Sequence, residues 1–342
     1  MSRIVVMGGS AGAIHVLKIV LAALPENFPA AILIVTHIGA NRSILPDILQ
    51  RVSALPVRHA TDGEPIIAGR VLLAPSDEHL TVVSAGGQMY VRLAHGPREN
   101  HCRPAIDPLF RSAAAVCGAG TIGVVLTGYL DDGTVGLQAV KARGGMAIVQ
   151  DPLEAEAPDM PASALKHVAV DLKLGVRQIA PALVTLAGAA VPPPRTHDDN
   201  AQAGVPDWID IENRLTGTDS DMEDLEQLGT PSSLTCPECN GALWEVRRPG
   251  PVRYRCHTGH AFTARVLEAM QGTAVEDAIW GAIRALHEQE RLFTKLADKS
   301  LQAGQKSSRA EYQAKADQAR THAQSLRELI AARALVVTQE VV

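Results

Sequence analysis

Aromatic side chains are scarce in this sequence: four Phe, four Tyr and three Trp make up 3% of 342 residues. With a formal net charge of −5, that scarcity disfavours base stacking and nonspecific phosphate binding, so no nucleic-acid partner is expected. No apolar run approaches the roughly 18 residues of a membrane span, so no membrane insertion is expected. The opening residues lack the pattern of an export signal, because the short apolar run Ile4 to Met7 passes directly into glycines. Cysteines number five, too few and too odd for a disulfide framework, which points to a cytoplasmic location. What is present, 46% hydrophobic and 20% charged residues, suits a soluble globular chain with one main domain plus extras.

Charge divides the chain into parts. Residues 1–190 hold 15 basic and 15 acidic side chains, residues 191–235 hold 2 and 10, and residues 236–342 hold 15 and 12. The acidic middle opens with Val191-Pro-Pro-Pro-Arg195 and reads as a linker, semi-rigid at its prolines and mostly disordered beyond. Its one exception is Pro206 to Glu212, where Trp208, Ile209 and Ile211 could dock on a neighbouring surface.

In the first part, short apolar runs at Ile4–Met7, Ala31–Thr36, Val71–Ala74, Thr121–Leu126 and Ala147–Val149 alternate with helical patterns. One such helix carries Ile14, Leu17, Leu21 and Leu24 on one face. The alternation predicts an α/β fold, a mostly parallel, doubly wound sheet with helices on both faces. Residues 80–93 read as a hairpin turning at Ser84–Gly87, an antiparallel piece at one edge.

Ligands of such sheets gather at the carboxyl ends of the strands. Ser10 follows the first strand in Gly8-Gly-Ser-Ala-Gly12, His37 follows the second, and Asp131 and Asp132 follow the run ending at Leu126. Together these are the parts of a nucleophile–base–orienter triad. Small residues around Ser10 permit a sharp strand-to-helix turn that exposes its hydroxyl beside helix N–H groups. Each piece alone has a plainer reading. A Gly-rich turn serves as a phosphate loop, although neither nucleotide fingerprint is complete here; a lone His is structural, and Asp-Asp-Gly is a turn. The order Ser, His, Asp also differs from that of α/β-hydrolases.

Residues 1–188 resemble the catalytic domain of chemotaxis protein-glutamate methylesterases of the CheB type. The family's nucleophile turn is matched by Gly8-Gly-Ser-Ala-Gly-Ala13, its His by His37, and its Leu-Thr-Gly-Met-Gly-x-Asp-Gly segment by Leu126-Thr-Gly-Tyr-Leu-Asp-Asp-Gly133. Ala74-Pro-Ser-Asp-Glu-His79, Arg103-Pro-Ala-Ile-Asp-Pro-Leu-Phe110, Gln150-Asp-Pro and Met160-Pro161 are further echoes in the right order. The resemblance implies catalytic Ser10, His37 and Asp132, no cofactor for catalysis, and a methylated chemoreceptor-like protein as substrate. Asp131 matches a variable position and is expected to face solvent. Tyr129-Leu130 replaces Met-Gly beside the expected oxyanion site, formed by N–H groups near Ala11 and Tyr129. Cys102 stands where the family usually has His, and as a rival nucleophile it has no indicated base. The family's receiver domain would precede residue 3, so phosphorylation of the same chain is not the expected switch. Residues 1–190 alone are expected to be at least as active as the whole chain.

Cys236-Pro-Glu-Cys239 and, 17 residues on, Cys256-His-Thr-Gly-His260 have the ligand types and spacing of a zinc ribbon over residues 236–262. The expected ligands are Cys236, Cys239, Cys256 and His260, with His257 as the alternative fourth, around a closed structural zinc. Losing that metal is expected to melt the ribbon while sparing hydrolysis. Residues 263–336 carry apolar residues at 4–3 spacing on either side of a break at Gln302–Ser308, which predicts an α-helical hairpin. Its faces could pack on each other or receive a signalling partner. The sequence therefore points to a serine hydrolase of glutamyl methyl esters that also deamidates some glutamines. A catalytically silent scaffold binding a receptor segment, or a small-molecule esterase or amidase, stays open as an alternative.

Overall fold

Every residue of Ile4–Gly9 (β1) is buried, as a strand covered on both faces requires. In this computed structural model, which describes residues 3–37, 43–191, 207–217, 222–248 and 250–339, β1 leads through α1 (Ala13–Ala22) to β2 (Ala31–Thr36). There follow α2 (Leu45–Gln50), β3 (Val57–His59), β4 (Val71–Leu73), β5 (His79–Ala85), β6 (Gln88–Ala94) and α3 (Ile106–Cys117). Then come β7 (Thr121–Val125), α4 (Thr134–Ala142), β8 (Met146–Gln150), α5 (Asp159–His167), β9 (Leu172–Leu174) and α6 (Val176–Gly188). Seven strands pair in the order β3-β4-β2-β1-β7-β8-β9, and every pairing among them is parallel.

The sheet separates two apolar layers. One packs Leu17, Leu21, Leu45, Leu49, Ile179 and Leu183 from α1, α2 and α6. The other packs Leu109, Phe110, Leu137, Val140, Met160 and Ala164 from α3, α4 and α5. The expected antiparallel piece differs in place. Hairpin β5–β6 is a separate two-stranded ribbon rather than an edge of the main sheet. Its Leu80, Val82 and Val91 join the second layer, and Val82 N–H donates to Ser112 Oγ of α3 at 3.0 Å. Gly86 and Gly87 turn it with φ of 58° and 79°, the left-handed pair that two-residue hairpins favour.

The segment 191–235 is not simply a linker. Within it lie α7 (Trp208–Leu215), α8 (Met222–Leu228) and β10 (Gly229–Thr235), while 192–206 and 218–221, with the expected proline-rich stretch, fall outside the described residues. Ile209, Ile211, Glu212 and Leu215 are buried. Charge complementarity helps to hold α7 there: Glu212 faces the buried Arg111, Arg253 and Arg255. Next, β11 (Ala242–Val246), β12 (Arg253–Cys256) and β13 (Ala261–Thr263) complete an antiparallel sheet in the order β10-β11-β12-β13. All of this belongs to one compact unit, Met1–Leu267, and a second unit comprises Glu268–Val342.

Two long helices end the chain, α9 (Ala264–Gln302) and α10 (Lys306–Gln339). Within the second unit Ile283, Ala297, Ala316, Ala319 and Ala323 are buried, and Phe293 stacks on Tyr312 with centroids 6.5 Å apart. The turn is shorter than the expected break, three residues with Gly304 at φ 73°. Among the described residues no helix is long and apolar enough to cross a membrane.

Candidate active site

Strand order reverses at β1, whose neighbours are β2 on one side and β7 on the other, so a crevice opens at their carboxyl ends. Ser10 leaves β1 there, and its N–H donates to Thr127 O at 2.9 Å. Gly12, at φ 76°, turns the chain into α1. Gly128 must lack a side chain, since a Cβ would stand 2.9 Å from Ser10 Cβ and 2.1 Å from Met160 Sδ. Thr127 locks the turn: its hydroxyl donates to Ala11 O at 2.9 Å and accepts from Ala157 N–H at 2.9 Å. The N–H groups of Ala11 and Tyr129 have no hydrogen-bond partner among the described residues, which leaves two donors beside Ser10.

His37 follows β2 directly across from Ser10, because Gly9 pairs with Thr36 and His37 N–H donates to Gly9 O at 3.4 Å. Its Nε2 lies 2.8 Å from Asp132 Oδ2. Burial works to lower the His37 pKa, but the Asp132 hydrogen bond, the neighbouring Cys102 thiol and the Asp132 charge together raise it to about 10. Cys102 therefore does stand beside a base, contrary to the sequence expectation.

Asp132 is 2% exposed and its carboxylate is saturated. Oδ2 also accepts from Ile106 N–H at 2.7 Å. Oδ1 accepts from Asn100 Nδ2 at 3.0 Å, Gly133 N–H at 3.0 Å and Asp107 N–H at 3.3 Å. Ile106 and Asp107 open α3, so the positive end of that helix also faces the carboxylate. Burial alone would raise the Asp132 pKa; the hydrogen bond and charge of His37, with Ile106 N–H and Asn100, hold it below the usual carboxylate range. Its neighbour Asp107 is pushed well above that range by burial and by the Asp132 charge.

Asp131 does not face solvent. It is 4% exposed, and its Oδ1 accepts from the Thr263 hydroxyl at 2.7 Å. The expectation fails because β13 covers this turn, a contact 132 residues away in sequence. Asn100 and Thr263 were both missed. Asn100 lies just outside the family-like Arg103–Phe110 segment, and nothing local marks Thr263.

At the far side of the Arg98–Cys102 loop, the four expected metal ligands converge. One donor atom from each of Cys236, Cys239, Cys256 and His260 lies within 4.8 Å of the others, whereas the His257 ring packs beside Gly241. All five cysteines are free. Cys239 Sγ is 3.7 Å from Cys256 Sγ, and His260 Nδ1 is 3.5 Å from Cys256 Sγ and 3.8 Å from Cys236 Sγ. Sulfur ligands on a tetrahedral zinc with 2.3 Å bonds stand about 3.8 Å apart, so the donor set fits that ion.

Fold and crevice together define a doubly wound α/β domain with Ser, His and Asp at its switch point. Residues 5–183 match the CheB methylesterase family, and the chain belongs to that family. A protein-glutamate methylesterase/protein-glutamine glutaminase 2 of Xanthomonas oryzae is 37% identical over 189 residues, 55% of this chain and 52% of that protein. A Leptospira interrogans chain, provisionally named for the same two activities, is 39% identical over 183 residues, 53% of this chain and 93% of that one. The solved CheB methylesterase catalytic domain of Thermotoga maritima superposes with a TM-score of 0.53 at 35% identity, covering 54% of this chain and 99% of that domain. The chain thus spans about half the length of the Xanthomonas relatives it matches.

Proposed function

We propose that this chain is a cytoplasmic serine hydrolase that removes methyl esters from glutamyl side chains of chemoreceptor-like proteins and deamidates selected glutamines. The observation that carries the reading is the 2.8 Å contact of His37 Nε2 with Asp132 Oδ2, one strand from Ser10. With Nε2 donating to the carboxylate, Nδ1 is the nitrogen left to accept a proton. Ser10 Oγ attacks the ester carbonyl as Nδ1 takes its proton, and Ala11 and Tyr129 N–H groups hold the oxyanion. Imidazolium returns the proton to the leaving methoxide, methanol departs, and water then hydrolyses the glutamyl-Ser10 ester by the same route. With a glutamine, ammonia leaves instead. Methanol release from a methylated receptor cytoplasmic fragment tests the reading, and a Ser10→Ala chain that still releases methanol at the wild-type rate would refute it.

We also propose a closed structural zinc on Cys236, Cys239, Cys256 and His260, which would hold its module together and touch no reacting atom. Each ligand sits on a tight turn: Asn240 N–H donates to Cys236 O at 2.8 Å and Gly259 N–H to Cys256 O at 2.9 Å. Elemental analysis should find one zinc per chain, and well under one would sink this reading. Exposed Trp280 and Leu292 on α9 support a subsidiary reading of the hairpin as a face for a signalling partner.

A further inference from the structure

The loop Arg98–Cys102 is an extra edge of the Cys/His module's sheet. Glu99 bridges in parallel to Ala261, Asn100 N–H donates to Ala261 O at 2.8 Å, and Ala261 N–H donates to Arg98 O at 3.3 Å. The next residue but one on β13 completes the join, with Thr263 N–H donating to Asn100 Oδ1 at 3.2 Å. That last bond decides which way the Asn100 amide faces. A backbone N–H can meet only its oxygen, so the amide NH2 is turned to the carboxylates of Asp132 and Asp107, each 3.0 Å away. Asn100 holds this pose at φ 52°, a left-handed conformation that Asn tolerates better than most residues.

Two further contacts tie the same loop to the metal ligands' immediate neighbours, beside those made by Ala261. Glu99 Oε1 accepts from Arg255 Nη2 at 2.8 Å, and Arg255 immediately precedes Cys256. Ala261 immediately follows His260. His101 Nδ1 meets Glu238 Oε1 at 2.5 Å, and Glu238 lies between Cys236 and Cys239. Both turns that carry metal ligands therefore bear on the five-residue loop whose Asn touches the triad carboxylate. On the other flank, the Thr263 hydroxyl fixes Asp131, the residue before Asp132.

We propose that Asn100 and Thr263 are positioning residues for the triad, and that the Cys/His module, when its metal is bound, sets the orientation of Asp132 and through it of His37. The inference rests on the assignment of Ser10, His37 and Asp132 as the reacting groups. It also reverses the expectation that hydrolysis survives loss of the metal and of everything beyond residue 190. A brace that only stabilised the fold would need neither the amide aimed at Asp132 nor the hydroxyl aimed at Asp131.

The test uses the full-length chain and four preparations beside wild type: Asn100→Gly, Thr263→Val, Thr263→Ser, and wild type stripped of metal by a chelator under reducing conditions. Glycine keeps the left-handed backbone while deleting the amide; serine keeps the hydroxyl that valine lacks. Two readouts are taken after circular dichroism has confirmed folding: kcat and KM for methanol release, and the downfield proton NMR signal of the imidazole N–H shared with Asp132. Asn100→Gly should lower kcat on the order of 10²-fold, the scale of a roughly 1 Å misplacement, with KM within about twofold. Its shared-proton signal should broaden or move. Thr263→Val should lose about tenfold and Thr263→Ser should regain it, on the same geometric argument. Metal stripping should reproduce the Asn100→Gly result and added zinc should reverse it. An unchanged kcat and an unmoved proton signal, in folded Asn100→Gly or after chelation, would overturn the inference. The proton signal needs no substrate, so it decides the matter even if the methylesterase reading fails on its own test.

Discussion

The parallel sheet and the four-stranded module of the same compact unit hold together by opposite means. In the first, β1, β2 and β7 are buried throughout and lie between two apolar layers. In the second, β10 is largely exposed, and the buried apolar set is short: Leu243, Trp244, Val246 and Phe262 beside the cysteines. Charge does the joining instead. Glu99 and Glu212 are shared among Arg111, Arg253 and Arg255, all nearly inaccessible to water, and the Thr216 hydroxyl donates to Glu99 Oε1 at 2.9 Å. Burial would raise the Glu99 and Glu212 pKa values, and the arginines outweigh it and hold both carboxylates ionised. The difference teaches that the α/β layer can be built from apolar surface alone. The module depends on ion pairs whose partners come from distant segments and, in the reading proposed above, on a metal clip.

Breaking the proposed triad at the end of the apolar sheet should produce the largest effect. Asp132→Asn should cost on the order of 10³ to 10⁴ in kcat, the range for neutralising a triad carboxylate, and Ser10→Ala at least as much. Asp131→Asn should stay within about tenfold, since its amide oxygen can still accept the Thr263 hydroxyl and it makes no transition-state contact. Methanol-release assays on the three variants check this, and a crippled Asp131→Asn chain would move the triad register by one.

Breaking the ionic joint comes next. Glu212→Ala leaves the buried Arg253 without its carboxylate and Arg111 and Arg255 with Glu99 alone, and should destabilise the chain by about 3–5 kcal/mol in denaturant unfolding. Leu17→Ala in the apolar layer should cost about 2–5 kcal/mol by cavity formation. The two should differ in kind: only Glu212→Ala should loosen hydrogen-exchange protection in β12 and β13 while β1 stays protected.

A smaller, graded effect follows from pH. His37 acts as a base only when neutral, and its pKa is raised, to about 10. Thus kcat/KM should climb about tenfold per pH unit below that value and level off above it. Removing the Asp132 charge should shift the limb to lower pH. The sign for stability is opposite. The His37–Asp132 pair stabilises fully below the unfolded imidazole pKa of about 6.5, and that contribution is lost as pH rises through about 10. A kcat/KM that is already flat between about pH 7 and 9 would contradict the first statement, and an unfolding free energy that does not fall over the same range would contradict the second.

The smallest effect is expected at Cys102. It borders His37, yet its N–H is committed to Glu99 O at 2.9 Å. Cys102→Ser should cost less than about tenfold in kcat, since in the proposed reaction the Ser10 hydroxyl and not the thiol carries the acyl group. Larger losses would make the thiol, not the hydroxyl, the group to pursue.

Periodicity and spacing by themselves determined a good deal. The apolar runs at β1, β2 and β7 read as buried strands because each is short, uninterrupted and followed by glycine or a polar residue. The Gly8–Gly12 turn, His37 and the Thr127–Gly133 segment could be seen to converge because parallel strands place their following loops at one edge. Four candidate metal ligands could be grouped because thiolate and imidazole spacing reflects a local turn geometry, and their donor atoms do lie within 4.8 Å of one another. Only the tertiary structure decided the rest. Whether Asp131 meets water, whether Glu212 solvates a linker or neutralises arginines, and which way Asn100 turns its amide all depend on groups more than 100 residues apart in sequence. Local patterning records which side chains want burial or a special backbone. It carries no trace of a buried charge's partner, because that attraction depends on distance in space rather than along the chain.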